Sequence, residues 1–163
     1  MNMNQPILKI LLVIGAAALL FGCGRDNGAT TDADEPVTEI TITGDDRMRF
    51  APTRFTVRAG ETITLTLDNI GRMPKESMGH NLAIIDKSLN ANTFAASSIG
   101  YPAEEYIAPE YADRVIAATK VLGPGESETI TFTAPAEAGE YPFVCSFPGH
   151  TPAGMRGIMV VIE

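Results

Sequence analysis

Histidine, cysteine, tryptophan and basic residues are all scarce in this sequence. Its 163 residues include two histidines, two cysteines and no tryptophan, and 20 acidic residues outnumber 12 lysines and arginines, which gives a net charge of −8. Nucleic acid binding requires a basic face for the phosphates, so this balance argues against it and favours a domain that meets a cationic partner. At 45% apolar residues the chain is long enough for one domain with a core and too short for two.

The first 22 residues predict an export signal. A polar start containing Lys9 precedes an apolar run that is too short for a membrane span and ends at Phe21. Residues 20–23 resemble the bacterial lipobox, in which the cysteine is lipidated and becomes the first mature residue. The alternatives are an ordinary secretory cleavage and an uncleaved anchor. We predict a lipoprotein signal over 1–22, lipidation at Cys23, and a location on the periplasmic or cell-surface face of a bacterial membrane.

Residues 23–37 are predicted to be a tether. They are small, polar and acidic, with nothing to bury, so we expect a flexible segment that begins at lipidated Cys23 and leads to one folded domain over 38–163. Cys145 is then the only thiol left and has no intramolecular disulfide partner. In an oxidising exported compartment a lone cysteine is more easily explained as a metal ligand than as a free thiol.

Alternation of apolar and polar residues predicts an all-β domain, a β-sandwich of about eight strands separated by turns rich in glycine and proline. The predicted strands contain Ile40 and Ile42; Phe55 and Val57; Ile63, Leu65 and Leu67; and the segments 81–85, 115–121, 129–133, 141–145 and 158–162. The pattern lapses between Ile85 and Val115. There we predict one short helix over 88–98, capped by Ser88, and a loop over 101–111. We interpret this insertion as a flap that covers one sheet edge. It is not predicted to be a substrate lid, because it contains no histidine, no cysteine and no serine paired with a base.

The strand over 141–145 places a cysteine on its inner face. Period-two alternation puts Tyr141, Phe143 and Cys145 on the same side, toward the core. Pro142 indicates either an edge strand or a position whose N–H is not needed in the ladder. Because an uncompensated buried thiolate is costly, Cys145 beside an imidazole is best explained by a cation between them.

The segment CSFPGHTPAGM, from Cys145 to Met155, is the main candidate for a functional site. Its spacing, C-x4-H-x4-M, supplies a thiolate, an imidazole and a thioether, which both Cu(I) and Cu(II) accept. Its prolines and glycines exclude a helix, so the chain folds back and brings the donors together. His80 completes a two-histidine, one-cysteine set with a weak axial thioether, which is the donor set of a blue copper centre. The alternative is that these side chains only pack the core, as methionine often does.

Several motifs resemble the azurin and auracyanin branch of the cupredoxins, the small blue copper proteins. They are DDRMRF, GRMPKESMGHN, MGHNLAII, VIAATKVLGPGES and CSFPGH-x4-M, and the resemblance extends from about Glu39 to the C-terminus. It implies a Greek-key β-sandwich that holds one copper ion and cycles it between Cu(I) and Cu(II). The chain would then be a mononuclear electron carrier and not an enzyme.

The resemblance also implies roles for individual residues. His80, Cys145 and His150 would form the trigonal plane of copper ligands, with Met155 as the axial ligand. The four residues between His150 and Met155 match auracyanin, whereas azurin has three. Gly79 matches the glycine whose carbonyl approaches copper from the opposite side in azurin, and the extra residue before Met155 leaves that contact open here.

Three further positions match residues around the azurin copper site. Asn81 matches the asparagine that ties the two ligand loops together, and the Phe147 amide matches a hydrogen bond to the thiolate sulfur; such contacts orient ligands and tune the potential. Azurin's non-ligand histidine, which titrates near neutral pH, falls at Asn69, and azurin's disulfide is absent. We therefore expect no pH-dependent switching of that kind.

An apolar patch around the ring edge of His150 is a candidate docking surface for redox partners. Its predicted members are Met48, Met78, Pro148, Pro152 and Ala153. The partners we expect are c-type cytochromes or membrane oxidoreductases that dock transiently on a monomer, and the acidic balance favours a basic cytochrome. The alternative for the patch is simple packing of the loop.

The main competing function is that of an exported copper carrier or chaperone without a redox role. A copper oxidase or nitrite reductase needs further histidine clusters for a catalytic metal, which two histidines cannot supply. Hydrolase chemistry lacks a base, because both histidines are assigned to the metal. A binuclear copper site would need a second cysteine in the ligand loop, and residues 146–149 contain none.

Overall fold

The structure is a computed structural model and describes residues 34–163. The predicted signal, the lipidation of Cys23 and most of the predicted tether lie outside the described residues. At the end of that tether, Pro36 forms a parallel bridge with Thr56, and the Val37 amide donates to the Thr56 carbonyl at 2.8 Å. None of the helices in the described range is long and apolar enough to cross a membrane.

The described residues form nine strands, two α-helices and two 3-10 helices. The strands are β1 (Glu39–Asp45), β2 (Arg49–Ala51), β3 (Arg54–Arg58), β4 (Thr62–Asn69), β5 (Ala83–Ile85), β6 (Val115–Ala118), β7 (Ser127–Thr133), β8 (Gly139–Val144) and β9 (Arg156–Ile162). The α-helices are α1 (Lys75–Met78) and α2 (Ala91–Ser98), and the 3-10 helices span Pro102–Glu104 and Pro109–Arg114.

The strands make two mixed sheets whose apolar faces pack against each other. One sheet has the order β2-β1-β4-β7 and the other the order β3-β9-β8-β5-β6. The pairs β1–β4 and β3–β9 are parallel, and the other named pairs are antiparallel. Side chains of both sheets, such as Leu65 and Phe132 of the first and Phe55 and Phe143 of the second, share one buried core. The predicted all-β sandwich is therefore confirmed.

The strand boundaries differ from the predicted ones where the pairing becomes irregular. β2 was not predicted, because three residues are too few to show an alternation. β5 and β6 are shorter than predicted, because the Thr119 side chain replaces a ladder bond there. Its Oγ1 accepts from the Leu82 amide at 3.0 Å, and the Thr119 amide donates to the Leu82 carbonyl at 3.0 Å.

Pro142 lies in a central strand, so the expectation of an edge position is wrong. β8 has β9 on one side and β5 on the other. Pro142 is in register with Ile158 of β9, but β5 pairs only with Phe143 and Val144. Pro142 thus lies just beyond the β5 ladder, which agrees with the second alternative for this residue.

The flap contains the predicted helix, but its N-cap is Asn90 and not Ser88. The Asn90 side chain accepts from the amides of Asn92 and Thr93, at 3.0 and 3.1 Å. The Ser88 hydroxyl instead contacts Asp86 and Arg114.

The flap covers more than the sheet edge for which it was predicted. Phe94 of α2 is fully buried in a second apolar cluster with Ala83, Ile85 and Val144. These three residues belong to β5 and β8, which lie inside the five-stranded sheet. The flap therefore packs on the outer face of that sheet, and residues at the sheet's centre are buried on both sides.

Gly157 tests how tightly this core is packed. A Cβ atom at this position in β9 would overlap both the Phe143 ring and the Thr53 carbonyl. Because overpacking forces strained side chains or backbone shifts, we expect Gly157→Ala to lower the free energy of unfolding by about 1–3 kcal/mol. Urea unfolding of the copper-free protein measures this. Gly100→Ala is the matched control, since no atom lies within 4 Å of a Cβ there; equal effects of the two variants would contradict the packing argument.

Candidate metal centre

The predicted ligands meet at the end of the sandwich where β8 terminates. Cys145 directly follows Val144, the last residue of β8, and His80 lies three residues before β5, the strand that pairs with this part of β8. His150 and Met155 lie in the connection from β8 to β9. Strand pairing thus brings together donors that are far apart in the sequence.

Three nitrogen and sulfur donors converge on one buried point. The His80 and His150 Nδ1 atoms are 3.2 Å apart, and the Cys145 Sγ is 3.4 Å from the His150 Nδ1. All three ligand atoms lie within 4.8 Å of one another. Cys145 and His80 are fully buried and His150 is 2% exposed. The arrangement is therefore a closed site and not a surface cluster.

Gly44 leaves the space in which the Met155 side chain lies close to the His80 ring. A Cβ at Gly44 would lie 3.0 Å from the Met155 Cε and 3.2 Å from the His80 Cδ2. Met155 is itself fully buried. A side chain at residue 44 would therefore push against both the thioether and the imidazole.

The ligand loop is closed by its own backbone. The Cys145 amide donates to the Met155 carbonyl at 3.0 Å, and the Met155 amide donates to the His150 carbonyl at 3.0 Å. Gly149 and Gly154 have φ values of +86° and +103°, which residues with a Cβ rarely adopt. These bonds and turns fix the three loop ligands relative to one another.

Burial keeps both histidines neutral. Desolvation lowers the pKa of His150 to about 4, with a further contribution from repulsion by His80. The pKa of His80 is also lowered, chiefly by burial, although the carbonyls of Asp45 and Gly79 and the nearby carboxylates oppose the shift. Neutral imidazoles are ready to donate a lone pair to a metal.

The Cys145 thiol is protonated unless a cation compensates its charge. Burial raises its pKa to about 12, and the backbone amides of Asn81 and Phe147, which hydrogen bond to the sulfur, only partly oppose this. A metal ion deprotonates a coordinating thiol outright, and the same two amides then stabilise the thiolate.

The residues present fit a copper ion. The His80 and His150 Nδ1 atoms face each other at 3.2 Å, and the Cys145 Sγ lies 3.4 Å from the same His150 Nδ1. Two imidazoles, a thiolate and a nearby thioether, all buried, match the trigonal copper site with a weak axial methionine. The His150 Nδ1 offers one proton or one lone pair to two neighbours, the His80 Nδ1 and the Cys145 Sγ, whereas a cation accepts a lone pair from all three atoms.

Asn81 joins the two ligand-bearing segments. Its Oδ1 accepts from the Ser146 amide at 2.9 Å, and its Nδ2 donates to the Ser146 hydroxyl at 2.8 Å. The same Nδ2 donates to the Glu105 carbonyl at 2.7 Å. The first two bonds follow the predicted role of Asn81. The third reaches the flap, where the sequence offered no signal.

Gly79 and Asn69 each have a structural reason for their identity. A Cβ at Gly79 would lie 2.6 Å from both the Lys75 carbonyl oxygen and the Val121 Cγ1, so only glycine fits. Contact between its carbonyl and copper stays a prediction. Asn69 is buried, donates to the Leu122 carbonyl at 3.0 Å and accepts from the Gly71 amide at 2.9 Å. An amide in this position does not titrate.

The predicted docking patch is partly exposed. Pro152 and Ala153 are exposed, and Met48, Met78 and Pro148 are half-buried.

Two other large apolar side chains, which precede the patch member Met78 along the chain, are exposed and were not predicted to be so. Ile70 and Met73, which are 55% and 42% exposed, lie in the loop between β4 and α1 that leads to His80. Sequence periodicity could not find them, because an isolated apolar residue after a strand carries no sign of its exposure.

Copper binding should release about one proton per ion at neutral pH. This number of released protons follows from the directions of the pKa shifts. The raised pKa of Cys145 keeps its thiol protonated at pH 7, whereas the lowered pKa values of His80 and His150 leave both rings neutral. Calorimetric titration of Cu²⁺ into the copper-free protein, in buffers of different ionisation enthalpy, measures this number. Cys145→Ala should release no proton and should lack the intense visible thiolate-to-copper absorption. A release near zero or near two in the unsubstituted protein would contradict the assignment of protonation states.

Comparison with known proteins identifies the family. Residues 37–162 match the model of copper binding proteins of the plastocyanin/azurin family. The chain is 37% identical over 125 residues to outer membrane protein H.8 of Neisseria meningitidis, covering 76% of this chain and 67% of that protein. It is 34% identical over 125 residues to azurin of Pseudomonas denitrificans, covering 75% and 96%.

A solved structure agrees with these relatives. Dithionite-reduced auracyanin from the photosynthetic bacterium Roseiflexus castenholzii superposes with a TM-score of 0.71 at 36% identity, covering 79% of this chain and 100% of that one. The cupredoxin fold and the copper cofactor predicted from the sequence are both confirmed. The chain belongs to the plastocyanin/azurin family of copper-binding proteins, and its His80, Cys145, His150 and Met155 lie together as a type 1 copper site.

Proposed function

We propose that this protein is an exported electron carrier that passes one electron at a time between redox proteins. The observation that carries the proposal is the buried convergence of His80, Cys145 and His150 within 4.8 Å, beside Met155, in a loop closed by its own hydrogen bonds. Copper bound there supplies a one-electron couple between Cu(I) and Cu(II).

The protein's contribution is to keep the donors still. The backbone bonds between Cys145 and Met155 and between Met155 and His150, at 3.0 Å each, hold the loop. Asn81 holds that loop to the segment carrying His80. Because neither segment can move far without breaking these bonds, little rearrangement accompanies a change of charge at the site, and electron transfer is fast.

His150 is the ligand through which electrons would leave. Its ring is 2% exposed and lies in the loop that carries the exposed Pro152 and Ala153. A mostly apolar groove continues from this loop onto α2 and is lined by Asn92, Ala95, Ala96, Ile99, Gly149 and Pro152. An apolar surface of this kind, next to a redox ligand, suits brief docking of a partner.

The expected partners are c-type cytochromes or membrane oxidoreductases, which would meet the protein as a monomer. Lipidation of Cys23 would hold it at the periplasmic or cell-surface face of a bacterial membrane. Relatives named outer membrane protein H.8 support an exported location. The Cys23 anchor rests on the lipobox-like sequence alone.

Burial of the ligands favours an electron carrier over a copper chaperone. A protein that hands copper to a partner must expose a ligand for exchange, but His80, Cys145 and Met155 are all fully buried. Their copper would therefore be retained during docking, and electrons would be exchanged.

Spectroscopy and voltammetry of the copper-loaded domain test the function. We expect an intense visible absorption from the Cys145 thiolate to Cu(II), a type 1 paramagnetic resonance spectrum and a reversible one-electron couple. Met155→Leu should keep the band and raise the reduction potential, because losing a weak donor to Cu(II) favours the reduced state. A copper-loaded protein without the band, or one that loses copper on each reduction, would favour the carrier instead, and a lowered potential in Met155→Leu would contradict the axial assignment.

The docking surface is tested by placing a charge in it. Ala153→Asp puts a carboxylate on the exposed part of the ligand loop, where two molecules must approach each other to exchange an electron. Like-charge repulsion and desolvation should slow electron self-exchange by about tenfold or more at low salt. Nuclear magnetic resonance line broadening in mixtures of the Cu(I) and Cu(II) forms measures the rate without requiring the natural partner.

Ala136→Asp is the matched control for this experiment. It adds the same charge at an exposed position in the connection from β7 to β8, which is the opposite end of β8 from the copper site. We expect it to leave self-exchange almost unchanged. Equal slowing by the two variants would show that net charge, and not the patch around His150, controls the rate.

A further inference from the structure

The dipeptide Glu105–Tyr106 connects the flap to residues around the copper ligands. It lies between the two 3-10 helices, and both residues have left-handed backbone conformations, with φ of 56° and 58°. Residues with a Cβ adopt this conformation only where surrounding contacts hold them in it. The contacts that hold this dipeptide are with residues next to the copper ligands.

Glu105 is bonded to the segment that carries His80 and to the segment that pairs with it. Its carbonyl accepts from the Asn81 Nδ2 at 2.7 Å, and its carboxylate Oε2 accepts from the Val121 amide at 2.6 Å. The residue after Val121, Leu122, exchanges backbone hydrogen bonds with His80 at 3.0 and 2.7 Å. Glu105 thereby ties the backbone of His80 and its neighbour to the flap.

Asn81 connects Glu105 to the loop that carries Cys145. Its side chain is bonded to both the amide and the hydroxyl of Ser146, the residue that follows Cys145. A change in the position of Asn81 therefore shifts the loop that carries Cys145.

Tyr106 supports the other histidine. Its ring packs edge-on against Phe147, with centroids 5.2 Å apart and planes at 65°. Phe147 in turn packs on His150, with centroids 4.8 Å apart. The ring of the ligand His150 thus rests on an aromatic pair whose outer member belongs to the flap.

We propose that Glu105 and Tyr106 are positioning residues of the copper site, so that the flap helps to set its reduction potential. Glu105 fixes Asn81 and the bridge at His80, and Tyr106 fixes Phe147 against His150. The inference rests on the proposed electron-transfer function for its potential readout, whereas copper release tests it independently.

Substitution of Glu105 gives the main experiment. Glu105→Ala removes the acceptor of the Val121 amide and loosens the carbonyl that holds Asn81. We expect copper release to a chelator to become about tenfold faster or more, as for other residues that support metal ligands. The potential and the copper hyperfine splitting should shift as well.

Two variants control for charge and shape. Glu104→Ala removes a carboxylate from the adjacent, exposed residue, whose side chain makes no hydrogen bond or ion pair in the described structure, and it should release copper at the original rate. Glu105→Gln keeps an oxygen acceptor for the Val121 amide and should restore most of the original behaviour. Release rates and potentials that agree between Glu105→Ala and Glu104→Ala would overturn the role of Glu105.

Tyr106 supplies a second test that does not depend on the folding of Glu105→Ala. Tyr106→Ala removes the ring that packs on Phe147, whereas Tyr106→Phe keeps it. We expect only the first to change the hyperfine splitting and the copper release rate. Identical behaviour of these two variants would overturn the role of Tyr106. An unsubstituted protein without a reversible couple would contradict the electron-transfer function instead, and the release rates would still decide the positioning role.

Discussion

The structure depends on a buried sulfur that cannot carry its charge alone. Cys145 is fully buried at the end of a central strand, and burial raises its pKa to about 12. Two uncharged imidazoles face the same point, so the protein supplies lone pairs but no positive charge. A soft cation completes the electrostatics of this end of the sandwich. The backbone amides of Asn81 and Phe147 are already directed at the sulfur to share its charge.

The strands and the flap around the site hold its ligands in fixed positions. Both sides of the central strand β8 are paired, and its outer face is covered by the flap. Glycines lie where parts of the site approach closely: Gly44 leaves room for Met155 and His80, and Gly79 leaves room for Val121. Rigidity around the ligands is therefore produced by packing as well as by hydrogen bonds.

Much of this could be predicted from the sequence because it follows local rules. Strand alternation indicated the sandwich, and the spacing of Cys145, His150 and Met155 in a loop without helical potential indicated a soft-metal site. The rest depends on contacts between distant segments. β2 is too short for a periodic signal, and Pro142 is accepted in a central strand because the pairing of β8 with β5 ends at Phe143.

The contacts of the flap are the clearest example of what local sequence rules could not predict. The composition of the flap predicted a helix and a loop, but no local rule indicates that Glu105 adopts a left-handed conformation or that its carbonyl meets Asn81. Side-chain chemistry alone suggested a cover, because the segment contains no metal ligand. Its connection to the site consists of a main-chain carbonyl, a carboxylate bonded to a main-chain amide and a ring contact. These are interactions that residue types do not specify.

The distance along the chain between the ligands has a consequence for folding. The segments that carry His80 and Cys145 are joined by two residue pairs between β5 and β8, Ala83 with Val144 and Ile84 with Phe143, and by the hydrogen bonds of Asn81 to Ser146. An ion bound to both His80 and Cys145 therefore links two segments that are far apart in the sequence and favours the folded state in which they meet. Since the unfolded chain cannot assemble this donor set, each tenfold rise in free copper above the dissociation constant adds about 1.4 kcal/mol to stability. The metal that carries the electron thus also stabilises the sheet that holds it.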